Sequence, residues 1–106
     1  MAYYKNHKYF KTVKVEITDE AWVQLREPTT EEAFSLRTDD EEKAMEAFRE
    51  LLPKIIIDHN FYEDESDQVK LPIEEVAKIA GESYTAFFEI LQQYTSAVFR
   101  SSKQWR

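Results

Sequence analysis

Apolar and polar residues alternate from Phe10 to Ile17, with Val13, Val15 and Ile17 on one side and Thr12, Lys14 and Glu16 on the other. A period of two predicts a half-buried strand. Thr18, Asp19 and Glu20 predict a turn, although the glycine that tight hairpins favour is missing. Alternation resumes from Ala21 to Arg26, with Ala21, Val23 and Leu25 on the apolar side, so a β-hairpin is expected. Trp22 falls on the polar side with Gln24 and Arg26. It is either a cross-strand cover for Lys14 and Glu16 or an exposed anchor.

The period then changes. Pro28 stops the strand. Thr29 and Glu32 fit a capping box, which predicts a short helix to Leu36 or Arg37 that buries Ala33, Phe34 and Leu36. Asp39 or Asp40 caps the central helix. Its face carries Ala44, Phe48, Leu51, Leu52 and Ile55, with Met45 and Ile56 at one side and Glu42, Lys43, Glu46, Arg49 and Glu50 behind. Pro53 interrupts it. Either the helix kinks and continues to Asp58, or it ends at Leu52 and Pro53 starts a new turn. Ile57 lies opposite the stripe of a straight continuation, which favours a change of direction. Asp58 to Lys70 is acidic and predicts the longest loop.

Pro72 predicts the next helix start, with Ile73, Val76, Ala77 and Ala80 buried and Gly81 as a left-handed C-terminal cap. Ser83 caps the last helix, Tyr84 to about Arg100. There Tyr84, Phe87, Leu91, Tyr94 and Val98 follow a 3-4-3-4 spacing, flanked by Ile90 and Ala97 on one side and Phe88 and Phe99 on the other. This apolar sector covers about half the circumference, more than one core-facing stripe needs. Two neighbours sandwich the helix, or part of it awaits a partner. Together these elements predict an α+β fold, mostly α. An N-terminal β-hairpin precedes about four helices in a single small domain over residues 1–106, with residues 1–9 a flexible arm and 101–106 a flexible tail.

Charge changes the picture of partners. The net charge of −7 divides into +4 over residues 1–14, −13 over 15–82 and +2 over 83–106. So acidic a surface argues against nucleic acid, although three tyrosines among the lysines of residues 1–9 are of a kind that stacks on bases. Absence of cysteine excludes disulfides and thiolate chemistry. No secretory signal follows Met1, and no run is long enough to span a bilayer, so a cytoplasmic location is expected.

Asp58, His59, Asn60, Glu63, Asp64 and Asp67 form the best ligand cluster. It departs from a calcium loop, because Glu63 stands where the turn glycine belongs and Val69 where the bidentate glutamate belongs. His59 and Glu63 alone do not define a zinc site. The sequence contains no phosphate-cradling loop, no nucleophile elbow and no carboxylate pair set for acid–base work. No enzyme, metal or cofactor is therefore expected. The surplus aromatic face points instead to a protein partner, or to self-association, through Phe87, Phe88, Leu91, Tyr94 and Phe99, with Trp22 as a loose aromatic.

The order of these elements resembles a known family. A basic start and a hairpin precede Leu25 to Glu32, a helix ending Leu51, Leu52 and Pro53, the run Ile57 to Phe61, an acidic loop, Leu71 to Val76 and an aromatic helix. The chain is similar in this to the small tail assembly chaperones of long-tailed bacteriophages and prophages. The resemblance implies a non-enzymatic protein of the bacterial host cytoplasm that binds the tape-measure protein and keeps it soluble while the tail tube forms. Two alternatives are a structural head–tail or tail-completion component and an antitoxin-like regulatory binding protein.

Overall fold

The computed structural model describes residues 10–63 and 69–103, the last five of these by their backbone alone. Two strands, β1 (Thr12–Glu16) and β2 (Trp22–Arg26), form the expected hairpin. Thr12 pairs with Arg26, Val13 with Leu25, Val15 with Val23 and Glu16 with Trp22. The turn holds without glycine because the Thr18 hydroxyl accepts the backbone N–H groups of Glu20 (3.2 Å) and Ala21 (3.1 Å). Val15, Val23 and Leu25 are buried, as alternation requires.

Helix α1 (Thr30–Leu36) opens on a complete capping box between Thr29 and Glu32. Phe34, expected to be buried, is 62% exposed. With seven residues the helix is two turns long, and its inward contacts fall to Leu36. Helix α2 (Glu41–Ile55) is capped by Asp40, whose carboxylate accepts from Glu42 and Lys43, and it buries Phe48, Leu51, Leu52 and Ile55.

Neither reading of Pro53 holds. The helix passes through Pro53 and stops at Ile55. The chain then enters a third strand, β3 (Ile56–His59), antiparallel to β2. The open edge of β2 receives the chain there, and the isoleucines permit the switch, since β-branched side chains fit a pleated surface. Asp58 pairs with Gln24 and Ile56 with Leu25, so the register shifts between them and Ile57 is the extra residue of a bulge. The long loop therefore begins after His59, and its arms rejoin at a bridge between Tyr62 and Lys70.

Helix α3 (Ile73–Glu82) starts after Pro72 and buries Val76, Ala77 and Ala80, while Ile73 stays exposed. Gly81 is not the expected left-handed cap, because the helix runs past it to Glu82. Space, not φ, sets Gly81 apart, as a Cβ there would sit 3.1 Å from Cγ of Arg49. Ser83 ends α3 and starts α4 (Tyr84–Lys103). Its N–H donates to the Ile79 carbonyl (2.9 Å), and its hydroxyl accepts from the Ala86 N–H (3.2 Å). Residues 101–103, expected in the tail, continue this helix. The expected arm 1–9 and residues 104–106 lie outside the described residues.

The sheet order is β1-β2-β3. Helix α4 lies against β1, α3 against β3, and α2 packs on α3. One core joins the inner sheet face to Phe48, Leu52, Ile55, Val76, Phe87, Ile90 and Tyr94. The fold is thus α+β with an N-terminal hairpin, as expected, plus one strand that was not. Two measurements check this account. Gly81→Ala should raise stability by less than ~1 kcal/mol in urea unfolding, since helix propensity rises and the exposed Arg49 side chain has room to shift. A left-handed cap would instead lose stability. Tyr94→Phe should cost ~1–2 kcal/mol by removing a buried hydroxyl that donates to the Arg26 carbonyl at 2.8 Å.

Candidate interaction surface

Six residues stood out in the sequence as partner contacts, and the fold separates them. Phe87 and Tyr94 point inward. The Phe87 ring meets Phe48 edge-on at 5.8 Å, and the Tyr94 ring meets it at 5.7 Å. Burial pushes the Tyr94 phenol well above its ordinary pKa, so the hydroxyl stays a donor. These two side chains belong to the core and leave almost no surface for a partner.

Phe88 and Leu91 are half-buried. The Phe88 ring lies tilted against Tyr84 at 4.7 Å and meets Phe87 edge-on at 5.7 Å. Tyr84 itself is 77% exposed. The Phe99 side chain lies outside the described residues. Trp22 sits on the outer face of the sheet beneath the Lys14 ammonium, 4.6 Å from the ring centre, with Lys70 at 5.9 Å. It is the cross-strand cover, half-buried under two cations, and it stands across the sheet from the core side of α4.

The width of the apolar sector is thereby explained. Helix α4 carries two rows. Ala86, Phe87, Ile90 and Tyr94 make the inner one and are buried. Tyr84, Phe88, Leu91, Thr95 and Val98, spaced 4-3-4-3, make the outer one and run from exposed to half-buried. Sequence reasoning merged the two by following Tyr84, Phe87, Leu91, Tyr94 and Val98. The outer row was open to view, since it is the other heptad-like path through the same residues. Tyr84 was missed as a contact because it was assigned to the stripe facing the core.

Of the side chains singled out for ligand chemistry, Asp58, His59 and Asn60 have structural partners, and Asp64 and Asp67 lie outside the described residues. Asp58 bonds Lys70 at 2.8 Å. The Asn60 carbonyl oxygen accepts the Trp22 N–H (2.8 Å), and its amide donates to the Glu20 carbonyl (2.6 Å). Among the described residues no three His, Asp or Glu side chains converge as metal ligands would. Among them, too, no helix is long and apolar enough to cross a membrane.

The two rows predict different penalties. Phe87→Ala should cost ~3–5 kcal/mol in urea unfolding, the loss expected for a buried ring. Phe88→Ala should cost well under half of that, as part of its ring already meets water. Scans against protein-family models, curated proteins and solved structures find no match to this chain.

Proposed function

We propose that this protein is a non-catalytic binding module that covers an apolar helix of a protein partner, acting as a tail assembly chaperone does. The observation that carries the reading is the outer row of α4. Tyr84, Phe88, Leu91 and Val98 keep apolar surface at the spacing by which one helix engages another. The largest ring of the row is the most exposed, and aromatic residues of this kind anchor interfaces. The polar groups nearest the core stabilise the fold, which supports binding over catalysis. Arg26 is tied to Glu32 and Tyr94 to the Arg26 carbonyl.

The family resemblance supplies the partner. A tape-measure protein is long and helical, and its apolar stripes need cover before the tail tube polymerises. The net charge of −7 would keep such a complex soluble in the host cytoplasm. Among the original contact residues, Phe88 and Leu91 remain in the proposed interface, joined by Tyr84 and Val98. Phe87 and Tyr94 act from behind by holding the helix in place.

Co-expression with the cognate tape-measure protein, followed by size-exclusion chromatography with light scattering, tests the reading. The partner should become soluble and co-elute. Tyr84→Asp and Phe88→Asp should each weaken the complex about tenfold or more while the monomer keeps its far-ultraviolet circular dichroism. Absence of a complex, or one indifferent to both substitutions, would overturn the assignment.

A further inference from the structure

His59 ends β3 and is only 3% exposed. Its Nδ1 accepts the Phe61 N–H at 3.0 Å, so that nitrogen carries no proton. The Leu71 backbone lies near enough to the imidazole to favour its protonated form. Phe61 and Leu71 stand at the two ends of the acidic loop, and the Leu71 N–H donates to the Phe61 carbonyl at 2.9 Å. One more described backbone bond joins the arms, from the Glu63 N–H to the Val69 carbonyl at 2.9 Å. The Phe61 ring closes on the imidazole edge-on at 5.9 Å. A single neutral side chain, hydrogen-bonded to one arm and beside the other, therefore sits where both leave the body of the protein.

We propose that His59 is a proton-released clasp, holding residues 61–63 against 69–71 while neutral and freeing them when protonated. The reason is geometric. A proton on Nδ1 would face the Phe61 N–H, placing donor against donor inside a site closed to water. Among the described residues the arms are otherwise joined by two backbone bonds and tied to β3 by the Asp58–Lys70 pair. Phe61 and Leu71 only flank a core whose buried members come from the sheet, α2, α3 and α4. The release is therefore local.

The surroundings favour the neutral ring. Burial lowers the His59 pKa below its ordinary value; Lys70 pushes the same way, and the Leu71 backbone and Asp58 oppose them. Around it, β2 presents Val23, α2 turns Leu52 and Ile55 inward, and α3 turns Val76, Ala77 and Ala80 inward while Glu74, Glu75 and Lys78 remain exposed. Among the described residues, Asp58 and Lys70 are thus the charges that bear on the ring, and they neutralise each other across 2.8 Å. The open arm returns His59 to water, where it takes a proton near 6.5. The clasp is thus fully closed above that pH and weakens as pH falls below it.

Amide hydrogen exchange on the intact chain between pH 7.5 and 5.0, corrected for intrinsic rates, tests the clasp. Opening of residues 61–63 and 69–71 should increase, by at most about 30-fold at pH 5.0 for a ring that titrates near 6.5 when open and stays neutral when closed. Val15, Val23 and Leu52 should stay protected over the same range. His59→Gln, which can still accept from Phe61 but does not titrate, should abolish the pH dependence. Three results would overturn the proposal. They are an imidazole that titrates at or above 6.5 by NMR, equal loss of protection throughout the core, and an unchanged pH dependence in His59→Gln.

Discussion

A guanidinium taken out of water must be neutralised, and the N-terminal half of this fold is arranged around doing so for Arg26. The residue lies on the nominally polar side of β2, yet it is buried. Glu32 receives it through two nitrogens, at 2.8 and 3.1 Å. The same Glu32 carboxylate accepts the Thr29 N–H at 2.8 Å, so the acid that completes the cap of α1 also balances the buried cation. The Arg26 hydrogen bond holds the Glu32 carboxyl below its ordinary range, against the opposing effect of burial. From its other side, the Arg26 carbonyl takes the Tyr94 hydroxyl of α4. Sheet, first helix and last helix thus meet at one residue. Truncating Glu32 would strand the buried Arg26 charge, which is far costlier than losing an exposed pair.

The elements that were legible in the sequence share a property: each is specified by residues close together. Alternation from Val13 to Leu25 set the hairpin. The Thr29–Glu32 box set α1, and Asp40 set the start of α2. What escaped the sequence depended on residues far apart. Ile56 to His59 becomes a strand only because β2 offers an edge, and a run of isoleucines by itself suits a buried helix equally well. Gly81 carries a strong local signal for a helix end, but Arg49 from another helix gives the position its meaning. Pro53 was read as either a kink or a break. At two residues from the end of α2 it removes one donor where the helix is already finishing, and the chain tolerates it.

The candidate interaction surface was half legible for the same reason. That α4 carries more apolar residues than one neighbour could cover is plain from its spacing. Which of them face inward depends on where α2 places Phe48, and nothing within α4 reports that. His59 is a similar case. Its acidic neighbours suggest a ligand site, whereas its partners are backbone groups, which sequence composition does not reveal.

Ser83 is one residue serving as the end of one helix and the beginning of the next. An elbow of that kind has no slack. Changing the angle between α3 and α4 would break the Ser83 bonds to Ile79 and Ala86 together, and Tyr84 is the first residue beyond the joint. A visitor to the outer side of α4 would thus meet a fixed contour instead of one moulded to it. Little ordering would remain to be done on this side of the encounter, so discrimination would rest on the visitor's own shape.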